Sequence, residues 1–275
     1  MSFLKALLAT RHVTFGMIHV PALPGTPLAS LSLTQIEEVV RHEAEIYRKT
    51  GVNGIILENM HDLPYTLGKN IGPEIVASMT RVSIAAKSTF LSDSPVKPKL
   101  LGIQILAGAN EQAIAVAHAA GLDFIRAESF VFSHVADEGW MDGCAGPLLR
   151  YRKQIGAEKV AILTDIKKKH SSHAVTSDVG IGETAHAAEF FLADGVIVTG
   201  FATGDAASPK DIELVKSHSS LPVFVGSGVT AANVHQFSSA KGFIVGSHFK
   251  VDGRWQAPVD PERVAKFVAR VRSMK

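Results

Sequence analysis

The sequence predicts an α/β fold, a single (β/α)8 TIM barrel, on three observations. Apolar, β-branched runs alternate with amphipathic helical stretches eight times at even spacing. The runs are continuously apolar, which means burial on both faces, as in a parallel sheet. The last two runs, VFV at 223–225 and FIV at 243–245, each end on Gly-Ser, and Thr230 follows the first as a helix N-cap candidate. Strand, glycine turn and capped helix aim free backbone N–H groups at an anion. The barrel is therefore expected to be of the phosphate-binding type, with the site built by the loops after strands seven and eight. An open doubly wound sheet is the competing architecture, but no GxGxxG turn follows the first strand. No linker divides the 275 residues, so 13–275 are expected to form the barrel and 1–12 an N-terminal arm or short leader.

The elements follow in order. TFGMIHV (14–20) is a buried strand. After a proline-rich loop, Ser32 or Thr34 caps a helix whose Ile36, Val39, Val40, Ala44 and Tyr47 recur at helical spacing. GIILEN (54–59) is strand two, and Pro73 opens a helix to about Phe90. A turn, SDSPVKPK, leads to strand three at 100–106, then to a helix stopped by Gly121. Strand four is FIRAE (124–128). The long loop SFVFSHVADEGWMDGCAG after it is functional or lid-like by its length. PLLRYRKQIGA is helix four, and strand five spans 159–167. A second long loop precedes a helix over about 182–193, and GVIVTG (195–200) is strand six. The loop FATGDAAS precedes a helix from Pro209 to Ser217, and PERVAKFVARVRSM closes the chain as a helix.

Composition narrows the function. Hydrophobic residues make up 46% and charged residues 20%, as in a soluble protein with a large core. A net charge of +2 offers no basic field for nucleic acid. No apolar run approaches the roughly 20 residues that span a bilayer. The single Cys144 rules out an intrachain disulfide and fits a reducing compartment, so a cytoplasmic protein is expected. The stretch MSFLKALLATRHV has Lys5 and Arg11 and no acid, and resembles the tip of a mitochondrial transit peptide, which is the alternative. A homo-oligomer is expected, as is common for barrel enzymes.

In a barrel the C-terminal strand ends point into the active site. Here they form a polar ring: His19, Glu58, Asn59, Gln104, Arg126, Glu128, Asp165, Lys167, Thr199, Ser227 and Ser247. Glu58 is the first acid–base candidate, since a carboxylate closing IILEN is partly desolvated and has a tunable pKa. A salt bridge from Glu58 to Arg126 or Lys167 is the structural alternative. Asp165 and Lys167 alternate, so both are expected to face the lumen, as a catalytic pair with an electrophilic or amine-forming lysine or as a structural ion pair. His19 is a further catalytic candidate or a core histidine bonded to backbone. Asn59, Gln104, Arg126, Glu128 and Thr199 are expected to bind substrate, with Arg126 on a carboxylate or second phosphate. Gly226, Ser227, Gly228, Gly246 and Ser247 are expected to bind phosphate. Lys168 and Lys169 are read as part of a solvated charge run.

No cofactor is expected; a divalent ion held by Glu58 and Asp165 is the alternative. The histidines of HSSH (170–173) lack a carboxylate cluster and read as surface residues. His134 and Asp137 could reach over the site from the long loop, against a reading in which Phe132 and Trp140 pack it. Cys144 reads as buried filler.

FGMIHVPALPGTP followed by GVNGIILENMHDLPY resembles the opening of the BtpA/SgcQ family. The likeness continues through RAESFVFSHVADEGWMDGCAGPLLRYRKQIGA, TDIKKKH, DGVIVTGFATGD and VGSGVTAANV to VGSHFKVDGRW and PVDPERV, covering nearly the whole chain. The resemblance implies a phosphate-binding TIM barrel related in shape to phosphoribosylanthranilate isomerase and tryptophan-synthase α-type barrels. The family's label comes from a role in photosystem I biogenesis. Members also resemble components of sugar-related operons and occur where there is no photosystem, so the resemblance implies a fold rather than a reaction.

Three functions follow as expectations. The favoured one is acid–base chemistry on a small phosphorylated substrate: isomerisation, or carbon–carbon or glycosidic cleavage. The others are a non-catalytic assembly factor and a metal-dependent hydrolase or nucleosidase.

Overall fold

A computed structural model describes residue 7 and residues 9–92, 98–200 and 207–274. Most of the expected arm, the centre of the SDSPVKPK turn and the loop 201–206 lie outside these. Eight parallel strands close into a barrel: β1 Val13–His19, β2 Gly54–Glu58, β3 Leu100–Gln104, β4 Phe124–Ala127, β5 Ala161–Ile166, β6 Gly195–Val198, β7 Val223–Val225 and β8 Gly242–Val245. Neighbours in sequence are neighbours in the sheet, and β1 meets β8 with Val13 opposite Gly242. The helices are α1 Leu33–Thr50, α2 Pro73–Leu91, α3 Asn110–Ala120, α4 Ala145–Gln154, α5 Ile181–Phe190, α6 Pro209–His218 and α7 Pro261–Arg272.

Local chemistry sets several boundaries. Ser32, not Thr34, caps α1 through a capping box with Gln35, and Gly51 ends the helix at φ 80°. Val39, expected on the buried face of α1, is exposed, and Glu43 is buried there instead. Glu43 tolerates burial because Lys250 Nζ reaches both its oxygens at 2.7 and 2.9 Å.

The lumen below the strand ends is filled. Leu7, Phe15, Met17, Ile56, Phe124, Leu163, Ile197, Phe224 and Ile244 belong to one buried cluster, with the Phe15 ring 5.1 Å from Phe124 and 6.0 Å from Phe224. Gly54 and Gly102 make room for these rings: a Cβ on either would stand within 2.5 Å of Phe15 or 2.3 Å of Phe124. A second, larger cluster lies between strands and helices. A floor of this kind leaves the C-terminal rim as the place for polar groups.

Two expectations change. The long loop after β4 is a small sheet: His134–Ala136 pairs antiparallel with Gly139–Met141 and with Ser171–Ser172 of the loop after β5. It therefore joins two active-face loops. The expected helix after β7 is a 3-10 turn, Val234–Phe237. Thr230 and Asn233 bond reciprocally there, Thr230 N–H to Oδ1 at 2.7 Å and Asn233 N–H to Oγ1 at 3.3 Å, which closes the turn without starting an α-helix.

Candidate active site

Strand register builds the site. His19 lies opposite Glu58, and Glu58 opposite Gln104, so three polar side chains stand side by side on one rim. They line a cavity of about 460 Å³. Ligand pockets commonly hold roughly 300–1,000 Å³. Its polar wall continues through Arg126, Glu128, Asp165, Lys168 and Lys169, and its apolar wall is Met60, Tyr65, Leu106 and Trp255.

The charged side is ordered by pairing. Asp165 holds Arg126 in a fork, with Nε and Nη2 each 2.9 Å from a carboxylate oxygen. Burial works against the guanidinium, but Asp165 raises its pKa, and Arg126 stays charged. Glu128 accepts from Lys168 Nζ at 2.8 Å, from Gly108 N–H at 2.8 Å and from Gln104 Nε2 at 3.3 Å. Burial likewise opposes the Lys168 charge, and Glu128 more than offsets it. Gln104 Oε1 is buried with no hydrogen-bond partner among the described residues, an acceptor open to a ligand donor.

Glu58 does not form the salt bridge to Arg126 or Lys167 that was the structural alternative. Its only ion-pair contact among the described residues is His19 Nε2, 3.8 Å from Oε2. Burial raises the Glu58 pKa, Arg126 opposes this, and Glu128 adds to it. His19 Nδ1 lies 2.9 Å from the Trp255 carbonyl, so Nδ1 carries the proton and Nε2 is a bare acceptor. Burial, then the Lys250 charge, pushes the His19 pKa down to about 3. The pair at neutral pH is thus a neutral imidazole and a carboxyl with elevated proton affinity. Gly246 preserves access to it, since a Cβ there would stand 3.3 Å from His19 Nε2.

The turns after β7 and β8 continue the lining with residues 226–230, Gly246, Ser247 and His248, joined by Arg263. Of the expected donors Gly226 is already spent, whereas Gly228 and Ser247 are open. Gly226 N–H is used by Val198 O at 2.8 Å, Thr230 N–H by Asn233, and Ala231 N–H by His248 Nε2 at 3.2 Å. The N–H groups of Gly228, Val229, Ser247 and His248 have no partner among the described residues. Gly228, at φ 65°, bends the backbone as such a nest requires. Ser227 Oγ accepts Gly200 N–H at 2.7 Å and ties the turn to the loop after β6. Arg263, from the first turn of α7, supplies a cation; its Nε donates to His248 O at 2.7 Å. Nothing in the sequence singled out Arg263. Its one signal is its place just inside the proline-led final helix.

Other expected residues fall elsewhere. Lys167 is corrected: its φ of 47° breaks the strand alternation, and Nζ donates to Thr176 O at 2.9 Å, outside the cavity. Lys168 and Lys169, read as solvated, line the cavity instead. Asn59 acts behind the wall, its Oδ1 accepting Leu106 N–H and its Nδ2 donating to Asp62. Thr199 is buried below Gly226, outside the cavity lining, with Oγ1 unpartnered among the described residues. Asp137 and His170 reach the cavity, while His134 and His173 lie in a separate small cleft. Phe132 and Trp140 are exposed rather than packing the loop. Burial raises the Cys144 thiol to about 11, in keeping with filler. A metal held by Glu58 and Asp165 would have to displace Arg126 from Asp165.

The model of the BtpA family matches residues 10–273. The chain belongs to the BtpA family. An uncharacterized mitochondrial protein of Caenorhabditis elegans is 54% identical to it over 98% of this chain and 97% of the relative. The photosystem I biogenesis protein BtpA of Synechocystis is 33% identical over 94% of this chain and 88% of the relative. Among solved structures, the (S)-3-O-geranylgeranylglyceryl phosphate synthase of Thermoplasma acidophilum, in complex with sn-glycerol-1-phosphate, superposes with a TM-score of 0.57, 15% identity and complete coverage of both chains. At that identity the likeness is one of fold.

Proposed function

We propose that this BtpA-family protein is an enzyme acting on a small phosphorylated substrate, a sugar phosphate or phosphoribosyl-like compound, by acid–base chemistry. One observation carries the reading: a single cavity is lined both by a backbone N–H nest with an arginine and by a desolvated carboxyl beside a neutral histidine. The phosphate lies on the Gly228, Val229, Ser247 and His248 N–H groups, with Arg263 balancing its charge. Glu58 gives and takes the proton, and His19 Nε2 accepts a hydrogen bond from a substrate hydroxyl. Arg126, fixed by Asp165, turns its remaining donors on negative charge as it develops. The apolar wall of Met60, Leu106 and Trp255 excludes water. That the Thermoplasma neighbour holds sn-glycerol-1-phosphate supports a phosphorylated ligand.

The test is calorimetric titration with ribose 5-phosphate and with ribose. Affinity for the phosphate ester alone, lost in Arg263→Ala, is the expected result. Equal behaviour of the two sugars rejects the reading.

A second reading, an assembly role, has one specific support besides the name of the Synechocystis relative. Phe190, Phe191 and Leu192, at the end of α5 and just before the start of β6, are 76%, 46% and 66% exposed. If that ridge carries the function, replacing it with serines abolishes the cellular phenotype while Glu58→Gln leaves it intact. No helix among the described residues is long and apolar enough to cross a membrane. For location we favour the cytoplasm, with the mitochondrion of the worm relative as the alternative, decided by fusing residues 1–12 to a fluorescent reporter.

A further inference from the structure

Three consecutive lysines follow β5, and the chain sends them to three different places. Lys167 turns outward to Thr176. Lys168 closes on Glu128. Lys169 lines the cavity, and among the described residues its Nζ has neither a hydrogen bond nor an ion pair. Of the carboxylates nearby, Asp165 is held through both oxygens by Arg126 and Glu128 by Lys168, while Glu58, whose charge acts on Lys169 most, makes no ion pair with it. An unpaired ammonium in such a place is costly, whereas a neutral amine is not. Burial and then the Arg126 charge lower the Lys169 pKa, and the Glu58 and Asp165 charges oppose this only in part. An amine that faces a ligand cavity without a partner and gives up its proton more readily than an ordinary lysine is a nucleophile toward carbonyl carbon.

We propose that Lys169 is a Schiff-base nucleophile, and that the substrate of this cavity is a phosphorylated ketone or aldehyde whose carbonyl carbon reaches Nζ. The proposal rests on the reading of the cavity as a sugar-phosphate site. The chemistry balances with groups already in the cavity. The Nζ lone pair forms the C–N bond as the carbonyl π pair moves to oxygen, which takes the Glu58 carboxyl proton. The nitrogen returns a proton to Glu58, which passes it to the departing hydroxyl, and water leaves. The sum is amine, carbonyl and carboxyl in, and iminium, water and carboxylate out. The Glu58 carboxylate so formed stands by to take a proton from the carbon next to the iminium, which is the step an isomerase or lyase of a carbonyl compound needs.

Borohydride trapping tests this. Full-length protein is mixed with dihydroxyacetone phosphate or ribulose 5-phosphate and reduced with sodium borohydride, and the adduct is located by peptide mass mapping. Calorimetry with the same compounds runs in parallel. The expected result is one reduced adduct per chain at Lys169, absent in Lys169→Met and retained in Lys167→Met. Binding of either phosphate without an adduct at Lys169 overturns the Schiff base and leaves the phosphate reading standing. Adducts scattered over surface lysines and unchanged in Lys169→Met overturn it equally. An adduct at Lys169 formed as readily from dihydroxyacetone as from its phosphate supports the lysine and removes the phosphate. Neither binding nor adduct removes both.

Discussion

His19 Nε2 lies 3.8 Å from Glu58 Oε2 across the first two strands of the barrel. The gap is too long for a hydrogen bond. It leaves both atoms free for a ligand. The Trp255 carbonyl fixes which imidazole nitrogen faces the cavity, and burial keeps the ring neutral.

Glu58 is expected to cost stability above the range where carboxylates ordinarily titrate. Its folded pKa is raised, so the unfolded chain gives up the proton first, and stability falls as pH rises through the folded value. Glu58→Gln removes this loss. The variant melts at higher temperature than the parent at pH 8 and at nearly the same temperature at pH 4, where Glu58 is protonated in both states. A variant less stable than the parent at pH 8 refutes this account of Glu58.

Lys250 and Glu43 form the most deeply buried ion pair described, at 1% and 5% exposure, and join the segment after β8 to α1. Removing one partner strands the other charge. Glu43→Gln or Lys250→Met is expected to destabilise by about 3–5 kcal/mol, and replacing both by apolar residues to recover most of that. Urea denaturation measures all three.

Gly228 separates backbone shape from charge. Its φ is 65°, a conformation that Asn and Asp tolerate better than other side chains. Gly228→Asn is expected to retain phosphate binding in part, and Gly228→Asp to lose it by roughly tenfold or more, about 1.4 kcal/mol. Trp255 lines the cavity, and its fluorescence in a Trp140→Phe background reads both.

The barrel was legible because its cause is local and repeated: apolar runs, helix caps and glycine stops recur at one spacing. The polar ring was legible for the same reason wherever a strand stays regular, as at His19, Glu58, Gln104 and Arg126. It failed where the strand stops being a strand. Alternation from Asp165 places Lys167 in the lumen, but the left-handed turn at Lys167 ends the alternation and admits Lys168 and Lys169. The stretch after Gly228 looks like a capped helix because Thr230 is a good cap. Asn233 satisfies it within a 3-10 turn, and Val229 and His248 join the expected Gly228 and Ser247 as N–H groups without a partner among the described residues. Arg263 reaches the cavity from the final helix, a closure in space across the barrel that no local pattern encodes.

The central claim is that an anion sits between the turns after β7 and β8. Tungstate, a phosphate mimic with strong anomalous scattering, locates it directly in crystals. The account predicts one peak within hydrogen-bond distance of the Gly228 and Ser247 N–H groups and beside the Arg263 guanidinium, displaced by a phosphorylated sugar. A peak confined to Arg126 and Lys168, or none in the cavity, contradicts it.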